Sequence, residues 1–208
     1  MEKNLKAIIF DFDETLYYSP TALKKYIQYI KQTILALSNH TESEANEIIK
    51  KYGFDQRGEN RVSFGKTCEN FGVKKEKWNK YKIKHFFEKN YDDAKILDNN
   101  LLRALSKKYK LFIVSGALFQ NILYKSKKLG IDVSCFCVIY AQKKTDKTPK
   151  SKIEIYQSIL NDYKYHSENV LVFGDRYQVD IKPIELLGGH GFQIKDIDDL
   201  KNHLEKLL

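Results

Sequence analysis

The chain has 208 residues, a net charge of +9, 42% hydrophobic and 13% aromatic residues, enough for one domain or for a core carrying a smaller inserted one. No run approaches the roughly 20 apolar residues of a membrane helix, no leader with a small-residue cleavage pattern is visible, and the odd set Cys68, Cys135 and Cys137 argues against a disulfide framework. A cytoplasmic protein without membrane association, monomeric by default, is the expectation. The lysines are spread over many segments and no nucleic-acid motif accompanies them, so they read as solvated helix faces and no nucleic-acid partner is expected.

In chain order, Leu5–Phe10 is a short apolar run that ends at Asp11 and reads as a buried strand. Residues 20–95 then show helical periodicity with no convincing strand. Leu23, Tyr26, Ile27, Ile30, Ile34 and Leu37 make one apolar stripe. Thr41 with Glu44 is a capping-box pattern, with Gly53 as a stop. The spacing predicts another helix over 73–87, with Trp78 and Phe86–Phe87 as core residues.

Beyond this helical unit, Leu111–Val114, Cys135–Tyr140, Val170–Phe173 and Phe192–Ile194 read as strands. Helical patterns over 121–129, 153–160 and 197–207 separate them. Alternating strands and helices imply βαβ units and a mostly parallel sheet. Cys135 and Cys137 would share a strand face and are expected to be buried structural thiols. The histidines show no metal spacing, and His190, between two glycines, reads as a loop residue.

The chemistry lies at the strand ends. Asp11-Phe12-Asp13-Glu14-Thr15 follows the first strand, where open parallel sheets bind ligands. Two carboxylates so close make sense with a cation between them, and Mg²⁺ prefers such oxygen ligands. A second strand delivers Gly174-Asp175, with Asp180 five residues on. A third ends in Ser115-Gly116 before a helix; a hydroxyl with backbone N–H groups suits a phosphate, and Ser115 also suits a helix N-cap. Lys147 and Lys150 flank Pro149 ahead of the 153–160 helix, where either supplies a point cation.

These four motifs, in this order and on these strands, resemble the haloacid dehalogenase-like hydrolases. The resemblance implies a Rossmann-like parallel sheet with helices on both faces, formed by 1–16 and 96–208, and an α-helical cap inserted at 17–95. It implies that Asp11 attacks phosphorus to give an aspartyl-phosphate and that Asp13 is the acid–base partner. Ser115, Gly116 and Lys150 would bind the phosphoryl group, with Lys147 as the alternative lysine. Lys150 is followed by Ser151 rather than proline, a departure from the commonest pattern, but Tyr156 stands six residues on.

Asp11, Asp175 and the backbone carbonyl of Asp13 would hold Mg²⁺, with Asp180 and Thr15 supporting them. An acid at Asp13 implies phosphoryl transfer rather than dehalogenation. The implied activity is hydrolysis of a small-molecule phosphate monoester. A phosphomutase or nucleotidase using the same residues, or a non-catalytic phosphate-binding module, are the alternatives. Tyr17, Tyr18 and Ser19 either line the entrance or pack within the loop, and Arg176 and Tyr177 lie where substrate contact is feasible.

Overall fold

The computed structural model describes residues 4–54, 64–85, 92–142 and 151–208. The chain divides into two compact units: Met1–Tyr18 with Lys95–Leu208, and Ser19–Ala94.

The first unit starts with β1 (Ala7–Phe10), four fully buried apolar residues. A strand buried on both faces belongs in the middle of a sheet covered on both sides. The chain turns through Asp11–Leu16 into β2 (Tyr17–Tyr18) and leaves for the second unit.

That unit holds α1 (Ala22–Leu37), α2 (Glu42–Lys51), α3 (Phe64–Thr67), a 3-10 turn at Cys68–Phe71 and α4 (Lys75–His85). Thr41 caps α2 with the expected reciprocal bonds to Glu44, and Gly53 follows in a left-handed conformation. Ile30 and Ile34 of the α1 stripe are buried with Ala45, Ile49, Phe54, Cys68 and Phe71. Trp78 is buried too, its ring 4.5 Å from that of Phe64. Phe86 and Phe87, expected in this core, lie outside the described residues. Asp93 ties the two ends of the unit together, accepting from the Ser19 hydroxyl at 2.6 Å and the Thr21 backbone N–H at 3.1 Å. Hydrogen bonds from the Ser19 and Thr21 hydroxyls hold its carboxyl far below the usual range.

The chain re-enters the first unit through β3 (Lys95–Ile96), antiparallel to β2. Then follow α5 (Asn99–Lys108), β4 (Lys110–Leu118), α6 (Phe119–Leu129), β5 (Val138–Gln142), α7 (Lys152–Asp162), β6 (Val170–Gly174), α8 (Lys182–Glu185), β7 (His190–Gln193) and α9 (Ile197–Glu205). The five long strands form one parallel sheet in the order β5-β4-β1-β6-β7. Ala7, Ile9, Phe112, Val114, Val170 and Val172 face Tyr156 and Ile159 of α7 and Ile184 of α8. On the opposite face, Phe173 lies against Phe10 and against His203 of α9. The sheet is therefore Rossmann-like with helices on both faces, and the strand order reverses beside β1.

Several boundaries differ from the sequence reading. β5 starts at Val138, because Asp132 caps a 3-10 turn at Val133–Cys135. Cys135 and Cys137 therefore share no strand face, and Cys137 is exposed rather than buried. His190 is not in a loop. It pairs with Leu171, and the following glycine sits under Ile181, where a Cβ would come within 3.0 Å of the Ile181 side chain. β4 runs past Ser115 to Leu118 with a register shift on the way, so Ser115 does not cap α6, whose N-cap position is Leu118.

Candidate active site

Register brings the sequence motifs to one edge of the sheet. Phe10 aligns with Ile113 of β4 and Phe173 of β6, so Asp11 and Asp175 follow the carboxyl ends of adjacent strands, and Ser115 lies within the neighbouring β4, two positions beyond Ile113. The Asp11 backbone N–H donates to the Phe173 carbonyl at 2.9 Å, carrying the ladder one residue further.

Asp175, Arg176 and one turn of π-helix, Tyr177–Ile181, follow β6. This turn returns Asp180 to the end of its own strand, where it is fully buried. The Arg176 N–H donates to Asp180 Oδ2 at 3.0 Å, and the Tyr156 hydroxyl donates to the Asp180 carbonyl at 3.0 Å. Gly174 makes this return possible, since a Cβ there would lie 2.4 Å from Asp180 Cβ.

Carboxylate oxygens of Asp11, Asp175 and Asp180 all fall within 4.8 Å of one another. Such crowding is costly unless compensated. Part of the compensation is Lys152, whose Nζ donates to Asp11 Oδ1 at 2.7 Å and also pairs with Asp180 Oδ1. Burial alone would lower the Lys152 ammonium, but Asp11 and Asp180 outweigh it and the net shift is upward. Burial pushes Asp11 up to about 6, with Lys152 opposing and Asp180 adding. Asp175 is pushed up to about 8, again chiefly by burial, then by Asp11 and Asp180. Asp11 and Asp175, which ionise this reluctantly, fit a bound cation, whose charge would let both ionise.

Lys152 stands where the sequence reading put Lys150 or Lys147; both of those lie outside the described residues. The signal for Lys152 was present. Ser151 caps α7, accepting from the Glu154 N–H, and Glu154 reaches back to Ser151. The capping box fixes Lys152 as the first helical residue, and Tyr156 is four residues further on the same face.

Asp13 is partly buried and is not one of the three clustered carboxylates. The loop after it is tight: Glu14 has a φ of 62° and the Leu16 N–H donates to the Phe12 carbonyl at 3.1 Å. This turn brings the Tyr17 hydroxyl to Asp13 Oδ1 at 2.5 Å, and Lys125 of α6 pairs with the same oxygen. Tyr17 is thus buried in the loop with its polar tip on Asp13.

The remaining sites are less engaged. The Ser115 hydroxyl accepts from the Ala117 N–H at 3.2 Å, and Gly116 has open space beside it. Thr15 is fully buried, but its hydroxyl makes no hydrogen bond among the described residues, so none links it to the carboxylates. Tyr177 directs its hydroxyl to Glu185 at 2.6 Å.

The family model for haloacid dehalogenase-like hydrolases matches residues 5–188. The chain belongs to the haloacid dehalogenase-like hydrolase family. No curated protein matches it significantly. Among solved structures, it is similar to a haloacid dehalogenase-like phosphatase from Thermococcus onnurineus, at 16% identity and a TM-score of 0.69, over 98% of both chains. It also resembles a predicted phosphoglycolate phosphatase from Haemophilus somnus, at 17% identity and a TM-score of 0.63, over 99% of both chains. A haloacid dehalogenase-like hydrolase from Streptococcus pneumoniae aligns at 18% identity and a TM-score of 0.61, covering 96% of this chain and 91% of that one. At these identities the likeness is one of fold, and the matched family makes the chain a hydrolase. Among the described residues, no helix is long and apolar enough to cross a membrane.

Proposed function

We propose that the chain is a Mg²⁺-dependent phosphohydrolase acting on a small-molecule phosphate monoester. The observation that carries this reading is the cluster of Asp11, Asp175 and Asp180 at the carboxyl edge of the sheet, with Lys152 paired to the buried Asp11 and Asp180. Asp11 and Asp175, with the backbone carbonyl of Asp13, would hold Mg²⁺, which supplies charge neutralisation for the phosphoryl oxygens. Asp180 anchors Lys152 and the Arg176 N–H.

Asp11 is the nucleophile. One of its oxygens bonds to phosphorus while the bond to the leaving oxygen breaks, and Asp13 gives that oxygen a proton. A water, deprotonated by Asp13, then bonds to phosphorus and frees Asp11 with inorganic phosphate. Lys152 stays on Asp11 and neutralises charge gathering on the transferred group, and Ser115 and Gly116 offer a hydroxyl and an uncrowded backbone to its oxygens. The helical unit Ser19–Ala94 serves as the cap of such enzymes.

The test is phosphate release from a panel of phosphomonoesters with Mg²⁺ and with EDTA, for wild type and Asp11→Asn. Metal-dependent release abolished by Asp11→Asn supports the reading. No release by folded, Mg²⁺-loaded wild type across the panel contradicts it.

A further inference from the structure

Lys125 is an anomaly among the lysines of α6. Lys127 and Lys128 are exposed, whereas Lys125 is only 7% exposed. Its Nζ pairs with Asp13 Oδ1 and lies 3.1 Å from the Tyr17 hydroxyl. It also sits 5.6 Å from the Tyr17 ring centre and 6.0 Å from that of Phe12. Burying an ammonium costs several kcal/mol on the general scale. A Leu or Met at this position would pack against the same two rings without that cost. What only the ammonium supplies is charge and a donor for Asp13.

We propose that Lys125 is a positioning residue for the acid–base carboxyl of Asp13. The inference rests on the phosphohydrolase reading above and adds to it a residue outside the four motifs. Lys125 and the Tyr17 hydroxyl both donate to one oxygen, Oδ1. This fixes the plane of the carboxyl group and leaves the transferable proton to Oδ2. In the first half-reaction, Asp11 bonds to phosphorus, the bond to the leaving oxygen breaks with its electron pair, and the proton on Oδ2 moves to that oxygen. Asp13 becomes a carboxylate at that moment, and the Lys125 ammonium, which exchanges no proton, stabilises the charge. In the second half-reaction the proton from water returns to Oδ2. The contribution of Lys125 therefore grows with the leaving oxygen's need for a proton.

The experiment compares full-length wild type, Lys125→Ala and Lys125→Met on an alkyl phosphate and on nitrophenyl phosphate, whose leaving group needs little protonation. Thermal unfolding checks that each variant is folded. Lys125→Ala is expected to lose about 10²-fold in the rate of leaving-group release in the first turnover on the alkyl ester and under about tenfold on the nitrophenyl ester. KM should stay within about twofold, as for a group acting in the transition state. Added methylammonium should restore part of the alkyl-ester rate to Lys125→Ala but not to Lys125→Met, whose side chain fills the space.

Equal losses on the two esters without amine rescue, or wild-type rates in both variants, overturn the proposal and leave the phosphohydrolase reading intact. Wild type inactive on both esters overturns both. If neither variant folds, Tyr17→Phe, which removes the second donor and keeps the ring, decides by the same ratio: a greater loss on the alkyl ester supports the proposal and equal losses refute it.

Discussion

Replacing Lys152 with Met keeps the stem of the side chain and deletes an ammonium shared by Asp11 and Asp180. The three side chains are 10%, 5% and 0% exposed, so solvent screening offers little relief. Removing one partner from such a buried group costs about 3–5 kcal/mol, because the remaining charges stay buried without compensation. For a chain of this size that lowers Tm by roughly 6–20 °C.

The loss carries a pH signature. Asp11 already sits at about 6 in the folded protein, above its unfolded value of 3.8. A carboxyl raised by folding favours the fold below its unfolded value, and that contribution is lost as pH rises through the folded value. Without Lys152 the Asp11 carboxyl rises further, so Lys152→Met should be hurt most near pH 8 and least near pH 5. Urea unfolding in EDTA at both pH values measures this, and turnover with Mg²⁺ should fall about 10²–10³-fold. Lys147→Met and Lys150→Met are expected to match wild type. Unfolding free energy and turnover of Lys152→Met indistinguishable from wild type, or the loss appearing in Lys150→Met instead, would contradict this role of Lys152.

Three further outcomes follow from the same geometry. Asp175 is raised to about 8, so Mg²⁺ must displace a proton to bind; affinity by calorimetry should rise up to about tenfold per pH unit between 6 and 8 and level off above, and a flat profile would contradict this. Gly174→Ala places a Cβ 2.6 Å from Asp180 Oδ2; it should cost at least about 1–3 kcal/mol and displace Lys152, visible as lost stability and turnover together. Thr41→Ala removes the α2 capping box and should cost about 1 kcal/mol in denaturant unfolding with turnover unchanged, whereas a loss of turnover would be unexpected.

The parallel sheet was legible because its strands are short apolar runs that end in chemistry: Phe10 before Asp11, Phe173 before Gly174-Asp175. A buried strand cannot continue into a carboxylate without a reason, so the site announced itself where the apolar pattern stopped. Lysines carry no such signal in a chain with 36 basic residues. Lys147 and Lys150 drew the reading because they flank Pro149, while Lys152 was passed over although the Ser151–Glu154 box places it at the start of α7.

Lys125 looked like its solvated neighbours. Its burial follows from the helical face it shares with Ile122, three residues earlier and fully buried, a relation that periodicity shows only after the helix phase is known. The π-turn that folds Asp180 back over Gly174 has no propensity signature, and it is what turns two separated aspartates into one site. The misplaced starts of β5 and β7 arose where apolar content and glycine were weighed locally, while pairing with β4 and β6 decided the ends.

If Asp11 is the nucleophile, it carries the phosphoryl group between the two half-reactions. The most direct measurement is a rapid acid quench of Asp13→Asn turning over nitrophenyl phosphate with Mg²⁺, followed by peptide mass mapping. The leaving group needs no acid, but the second half-reaction lacks its base, so the covalent species should accumulate. One added phosphoryl mass is expected on the peptide containing Asp11, removed by hydroxylamine and absent when Asp11 is also replaced by Asn. Nitrophenol release by this variant with an unmodified Asp11 peptide, or a phosphoryl group on another residue, would contradict this role of Asp11.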